Sequence, residues 1–369
     1  MVYMAADNNL ETYAIENINQ MESVGSSSGM SVVVQIDRSP NYDRSNGNWT
    51  TTRRYHITRD TDNTTINSEL IQDLGEVDMA EPQSLADFVQ WATSAYPAEH
   101  YLLVLWDHGR GWQTRAFTPL ALQREIKAIH LDETSNSEMS LADITQAMGQ
   151  IPHMDIVLFD ACLMGMTEVA YSIKDDADIM IASEENIPAT GQPYDQVLSR
   201  IATNPAVSSS DLSHAIVDIY MDYAMSTQSG TLTQSAINLP ALNQVISAAD
   251  QLGRALLLNI NTVRPAVRLA QEQTQHFDFD KAYYDDYKDL YDFANRINAR
   301  VGSPDVRTAA QATMTAVNNA VLYQRNSGGQ VSNSRGISIY LPGPGFMLPQ
   351  YRNISFAQNT QWDEFLAIY

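Results

Sequence analysis

The one cysteine of this 369-residue chain, Cys162, directly follows the apolar run Ile156-Val157-Leu158-Phe159 and the pair Asp160-Ala161. Fifty-four positions upstream, His108 follows a second apolar run, Tyr101-Leu102-Leu103-Val104-Leu105-Trp106, and precedes Gly109. A thiol and an imidazole are the parts of a cysteine nucleophile and its base. Glycine after the histidine would let a substrate backbone approach and would offer an unhindered N–H. The N–H groups of Gly109 and Cys162 could then hold the oxyanion of a tetrahedral intermediate. A thiol at the start of a following helix would gain acidity from the helix dipole and a nearby imidazolium. Taken singly, each residue has a structural reading, since free cysteine is among the most buried residue types.

Both residues need elements that bring them together. Short apolar runs read as buried strands, and in an open α/β sheet the carboxyl ends of neighbouring strands face one crevice. The first half of the chain alternates such runs with helical patterns. Strands are expected at 2–6, 32–36, 101–106, 156–159 and 179–182, and an edge hairpin strand at 48–58. Helices are expected from Asn9 to Met21, from a cap at Ser84 to about Tyr96, near 140–149 with Ser140 as N-cap, and at about 166–174. Continuous apolar strands separated by helices predict an α/β fold with a mostly parallel sheet covered on both faces. From about 209 to 325 the periodicity turns helical, in Asp211–Met225, Ala241–Leu258 and Thr308–Tyr323. The Tyr/Asp-rich segment Phe277–Phe293 puts Tyr283, Tyr287, Leu290 and Tyr291 on one helical face and reads as packing. Ile337-Ser338-Ile339-Tyr340-Leu341 is a late strand expected to rejoin the sheet. The expected organisation is a core over 1–205, a mainly helical region over 206–330, and the late strand and tail over 331–369.

Composition narrows the function. Hydrophobic residues make up 44% of the chain and the formal net charge is −22. The apolar share supplies a sizeable core. The acidity excludes nucleic acid, whose phosphates need a basic face. No run approaches the ~20 apolar residues that span a bilayer, and no signal peptide is visible. A single cysteine builds no internal disulfide. No H-E-x-x-H, C-x-x-C or Walker A motif is present, which argues against zinc and nucleotide hydrolysis. Gly25-Ser26-Ser27-Ser28-Gly29 fits the G-x-S-x-G of serine hydrolases, but that elbow must follow a strand and open a helix. Here it follows a helix and precedes a strand, so a serine esterase acting through Ser27 fails on context. Asp60-Thr61-Asp62 opens like an EF-hand loop but lacks the glycine and glutamate that loop needs.

Several stretches together resemble the clostripain family of cysteine peptidases, in the clan that includes caspases, legumain and gingipains. They are Val2-Tyr3-Met4-Ala5-Ala6-Asp7-Asn8-Asn9-Leu10-Glu11, Leu105-Trp106-Asp107-His108-Gly109-Arg110-Gly111-Trp112, Phe159-Asp160-Ala161-Cys162-Leu163-Met164-Gly165, Ala182-Ser183-Glu184-Glu185 and Tyr194-Asp195. The resemblance implies a caspase-like fold, a His108–Cys162 dyad and cleavage after Arg or Lys. That preference needs an anion in the specificity pocket, because guanidinium is best held by a carboxylate fork. Asp160 corresponds to the family's acidic pocket residue, with Glu184, Glu185 and Asp195 next in line; the competing reading of Asp160 is a helix N-cap. The family also implies peptide or protein substrates, a secreted, cell-surface or periplasmic location, and cleavage of a zymogen between the histidine and the cysteine. Arg115, Arg124 and Lys127 are the candidate bonds there. The family's Thr and Glu-Pro…Gly-Trp after Ser183-Glu184-Glu185 are replaced by Asn186-Ile187-Pro188-Ala189-Thr190-Gly191-Gln192-Pro193, which puts preferences beyond the basic residue in doubt. Arg110 could repel a basic substrate if it points inward.

The chemistry requires no cofactor. Some relatives require calcium, and Asp7, Asn8 and Asn9 offer hard oxygen ligands at the sheet's carboxyl edge. The first reading of these residues is a cap on the following helix. A monomer is expected. The alternative to an enzyme is a catalytically silent binding or scaffold protein that keeps the fold.

Overall fold

The apolar runs that carry the candidate residues lie side by side in the middle of one sheet. The computed structural model describes residues 1–113, 129–227, 230–277 and 286–369. Its strands are β1 (Val2–Ala6), β2 (Val33–Arg38), β3 (Thr52–His56), β4 (Glu69–Gly75), β5 (Leu102–Trp106), β6 (Ile129–Asp132), β7 (Ser137–Met139), β8 (Met154–Asp160), β9 (Ala177–Ala182), β10 (Leu232–Asn238), β11 (Tyr287–Asp289), β12 (Val321–Ser327) and β13 (Ser338–Tyr340). Among the described residues the main sheet has nine strands, in the order β12-β10-β9-β8-β5-β1-β2-β3-β4. The central five, β9-β8-β5-β1-β2, are parallel; the outer pairings β9–β10, β10–β12, β2–β3 and β3–β4 are antiparallel.

The central strands are buried on both sides, which is why they read as unbroken apolar runs. One face packs against helices Pro82–Ala95, Leu141–Met148, Thr167–Ile173 and the 35-residue Leu239–Gln273. The other packs against Glu11–Val24, Tyr194–Thr203 and Ser209–Thr227. Ser140 caps Leu141–Met148 in a reciprocal capping box with Asp143.

The chain passes from β2 and its hairpin to one side of β1, and from β5 onward to the other. Carboxyl ends on either side of such a reversal form a crevice. The register levels them: Met4 pairs with Trp106, and Trp106 with Asp160. The residues just beyond, Asp7, Asp107-His108 and Ala161-Cys162, therefore emerge together.

Three expectations differ from the structure. The 48–58 segment is not an edge: β3 lies between β2 and β4. β4 is largely exposed, Leu70 and Ile71 included, and its apolar and polar residues do not alternate, so no buried face revealed it; its Glu69 and Asp73 suit an exposed edge. The expected helix Thr308–Tyr323 ends at Ala320, and Val321-Leu322-Tyr323 begins β12, as β-branched and aromatic side chains favour. The late strand β13 does not rejoin the main sheet. It pairs with β11 and bridges Met166 beside the Cys162 loop, so Tyr287 lies in a strand rather than on a helical face. Tyr283 falls outside the described residues.

Candidate active site

Asp107 organises the turn that carries His108. Its backbone N–H donates to the Asp160 carbonyl at 3.3 Å, extending the β5–β8 ladder. Its buried carboxylate accepts from the His108 N–H at 2.5 Å, from Asn8 Nδ2 at 2.9 Å and from the Leu131 N–H. Three donors on one carboxylate fix the backbone from which the imidazole projects. His108 Nε2 lies 3.0 Å from Asn9 Oδ1. With that amide oxygen accepting, the neutral ring carries its proton on Nε2 and its lone pair on Nδ1.

Cys162 leaves the end of β8 in a tight turn. Leu163 adopts φ +62°, an uncommon conformation for a branched residue. The turn is stitched to the segment after β9: the Leu163 N–H donates to the Glu185 carbonyl at 3.3 Å and the Gly165 N–H to the Ser183 carbonyl at 2.7 Å. The Ile187 N–H points to Cys162 Sγ at 3.3 Å. The thiol in turn lies 3.7 Å from the Ile187 carbonyl, so the Ile187 peptide holds the sulfur from both of its polar groups. The following helix starts only at Thr167, so its dipole does not act on Sγ as a thiol at the helix start would require.

Gly109 and Cys162 meet backbone to backbone. A Cβ on Gly109 would stand 2.2 Å from the Cys162 carbonyl oxygen and 2.8 Å from its nitrogen. Only glycine fits there. The structure thus brings the backbones of the expected Gly109 and Cys162 together, with His108 one residue before Gly109.

Asp160 is 3% exposed. Its Oδ2 accepts from the Gln192 N–H at 3.1 Å and the Tyr194 hydroxyl at 2.7 Å. Its Oδ1 has no hydrogen-bond partner among the described residues. Gly191, at φ +63°, lies so close that a Cβ would reach within 2.6 Å of Oδ2. Burial pushes the Asp160 carboxyl up to about 6 against those two donors. Asp160 is not an N-cap, because Met166 holds that position.

The other acids separate. Glu184 is buried away from Asp160, accepting from the Gly336 N–H at 2.9 Å and from the Ser334 hydroxyl. Burial, then Asp289, holds it well above the carboxylate range. Asp195 occupies the first turn of Tyr194–Thr203, where a carboxylate complements the dipole. Glu185 is buried, its N–H bound to the Ser183 and Thr233 hydroxyls. Burial raises the buried Tyr220 hydroxyl well above its ordinary value, and Asp160, Cys162 and Glu185 add to the effect. Those three therefore lie within electrostatic reach of one buried side chain. Arg110 is 4% exposed and its carbonyl accepts from Tyr287 Oη at 2.5 Å, so this segment turns inward toward β11. Arg115, Arg124 and Lys127 lie outside the described residues. Ser27 sits in a loop bridged to Met30 ahead of β2, not in a strand-to-helix elbow.

Several supporting residues carried no sequence signal of their own. Asn17 accepts from Trp106 Nε1 at 2.9 Å and donates to the Thr190 carbonyl at 3.0 Å, and Gln20 accepts from the Tyr194 N–H at 3.1 Å. Helix Glu11–Val24 thereby holds the 186–193 loop. Asn8 has its amide on Ala5, Asp107 and Leu131 and its oxygen on the Leu10 N–H at 2.9 Å. With Asn9 on His108, only Asp7 of the three candidate oxygen donors is left to meet other acids. It gathers with Asp37, Glu76 and Asp132, one oxygen of each lying within 4.8 Å of the rest.

Comparison with known proteins agrees with this arrangement. A model of the Clostripain family matches residues 2–369. Clostripain from Hathewaya histolytica is 24% identical over 394 residues, covering 93% of this chain and 74% of the relative. Among solved structures, an inactive zymogen C11 protease from Parabacteroides distasonis aligns with a TM-score of 0.73 at 20% identity, over 97% of this chain and 96% of the other. The secreted C11 cysteine protease iotapain from Bacteroides thetaiotaomicron aligns with a TM-score of 0.75 at 15% identity, over 97% of each chain. These structures share the fold.

Proposed function

The chain belongs to the clostripain family of cysteine peptidases, and from that premise we propose that it is an endopeptidase cutting after Arg or Lys through Cys162 and His108. Cys162 Sγ attacks the scissile carbonyl as thiolate. The oxyanion that forms is held by the Gly109 and Cys162 N–H groups. His108 gives a proton to the leaving amine, which departs as the thioester forms. It then takes a proton from the water that attacks the thioester, and the acid and the thiol are released. No cofactor takes part in these steps.

Basic selectivity is assigned to Asp160. The observation that carries it is a buried carboxylate two residues from the nucleophile whose Oδ1 lacks a partner among the described residues. Such an oxygen is costly to bury unless a cation or donor arrives. A substrate guanidinium or ammonium supplies both charge and N–H. Glu185, near Cys162 and Asp160 around Tyr220, is the second acid of this neighbourhood.

The same reading includes activation of a zymogen by cleavage at Arg115, Arg124 or Lys127, between the two catalytic residues. It also includes action as a monomer on peptide or protein substrates outside the cytoplasm, as a secreted relative suggests. Among the described residues no helix is long and apolar enough to cross a membrane. The test is cleavage of an Arg-containing fluorogenic peptide by the wild type, Cys162→Ala and Asp160→Ala. Activity lost in the first variant and basic preference lost in the second is the expected result. Equal cleavage by wild type and Cys162→Ala would leave a silent scaffold with a contaminating activity.

A further inference from the structure

The sheet face covered by helices Glu11–Val24, Tyr194–Thr203 and Ser209–Thr227 holds a cavity of about 620 Å³. It opens at the amino edge of the sheet, opposite the ends that carry His108 and Cys162. Its lining includes Val32 just before β2, Tyr101 just before β5 and Asp155 at the start of β8. At the mouth Ser28, Pro97 and Glu99 are exposed; at the inner end Leu158, Gln192 and Tyr194 are buried. Between them Val104, Val197, Leu198 and Leu212 make an aliphatic wall. A cavity of this size accepts a small organic molecule.

The inner end carries an unmet polar group. Gln192 is 0% exposed, and neither its Oε1 nor its Nε2 has a hydrogen-bond partner among the described residues. A donor and an acceptor buried together without partners are unfavourable unless something arrives to pair with them. The same residue supports the acid proposed to read the substrate. Its backbone N–H donates to Asp160 Oδ2 at 3.1 Å, beside the Tyr194 hydroxyl at 2.7 Å. Two residues that close the cavity are thus the two that hold Asp160.

We propose that this cavity binds a neutral aliphatic amide, whose carboxamide pairs with that of Gln192 and whose chain runs along the aliphatic wall to the mouth, and that the bound molecule steadies Gln192 and Tyr194 against Asp160. A carboxamide offers both an acceptor and donors, which is what the glutamine side chain lacks. Among the described residues no lysine or arginine lines the cavity, so a carboxylate would find no cation there. An ammonium has no acceptor and would leave Nε2 of Gln192 unpaired. At the mouth Asp155 is already engaged, with His100 Nδ1 and the Tyr101 N–H each at 2.7 Å.

The binding arm is independent of the peptidase reading; the link to Asp160 rests on it. The full chain carrying Cys162→Ala is titrated by calorimetry with octanamide, and with octanoate and octylamine for comparison. One equivalent of octanamide, bound more tightly than either ion, is expected. No saturable binding would overturn the site, and tighter binding of octanoate or octylamine would overturn the amide assignment. Gln192→Leu should weaken octanamide binding roughly tenfold or more. It should also melt no lower than its parent without ligand, since it removes an unpaired polar group. Leu198→Phe, which narrows the cavity and leaves Gln192 in place, should weaken binding as well. Unchanged affinity in both variants, or a lowered unliganded midpoint in Gln192→Leu, would contradict the proposal. For the link, the affinity of an Arg peptide for the Cys162→Ala protein should tighten roughly fivefold or more in saturating octanamide, because coupling between two sites is reciprocal. Octanamide bound with peptide affinity unchanged would overturn the link alone. An Arg peptide that binds no better than its Leu analogue would sink the basic-site reading and the link with it, while the cavity site would stand.

Discussion

Gly109 and Cys162 share one backbone contact, so close that a side chain on Gly109 would overlap the Cys162 peptide at 2.2 Å. The contact joins the ends of β5 and β8 where Trp106 pairs with Asp160. It places the Gly109 Cα against the Cys162 peptide, next to the two N–H groups proposed for the oxyanion. Gly109→Ala should force the two turns apart. We expect kcat on an Arg peptide to fall on the order of 100-fold, since displacement by about 1 Å costs that much, with a smaller change in KM. Steady-state kinetics of the purified variant check this, and an unchanged kcat would show that the contact does not set the geometry.

With Asp160 proposed to hold the basic side chain, affinity for such substrates is predicted to depend on pH. Its carboxyl is raised to about 6 by burial, so it gains a proton as the pH falls through that value. A neutral carboxyl offers no charge to a guanidinium. KM for an Arg substrate should therefore rise below about pH 6, while Asp160→Asn should show a high KM with no such inflection. Parallel KM–pH profiles for the two proteins would contradict the role.

Asn9 is a positioning residue for the imidazole, with Oδ1 3.0 Å from His108 Nε2. Asn9→Ala removes that acceptor from Nε2. Part of the acid–base contribution should be lost, lowering kcat roughly tenfold or more with KM nearly unchanged. Asn9→Asp, which keeps an acceptor, should retain more of kcat than the alanine. Equal losses in both variants would place the effect elsewhere.

Glu184 and Asp289 form a buried pair behind the Cys162 loop. Burial raises both carboxyls, Asp289 to about 7, and they share a hydrogen bond. A raised acid binds its proton more tightly folded than unfolded. The unfolded chain releases these protons near pH 4 and the folded chain holds them to higher pH, so stability falls as pH rises from about 4 toward 7. Glu184→Gln removes one ionisation and keeps an acceptor for the Gly336 N–H. Its unfolding midpoint should exceed the wild type's at pH 8, and the difference should shrink at pH 5. A constant difference would show that the pair is not the source.

The sheet centre was legible because β1, β5, β8 and β9 are buried on both faces and therefore apolar throughout. His108 and Cys162 stood out because each follows such a run. β4 was not legible, since an exposed edge needs no apolar face. Neither was β12, whose apolar start continues a helical pattern from the preceding element. The site's supports escaped for another reason. Asn9 meets His108 across 99 positions and Tyr194 meets Asp160 across 34. Asp7 carried a weak signal within the sequence, but Asp37 and Glu76 join it only through the strand order of the main sheet, and Asp132 through the separate β6–β7 ribbon.

The central claim is that Cys162 is the nucleophile of a site that reads a basic residue. An Arg-terminated peptidyl ketone bearing a leaving group should add one peptidyl mass to the wild type, at Cys162 by peptide mapping. It should add none to Cys162→Ala, and the Leu-terminated analogue should label the wild type far more slowly. Labelling of Cys162→Ala at the wild-type rate, or equal labelling by the two reagents, would contradict the account.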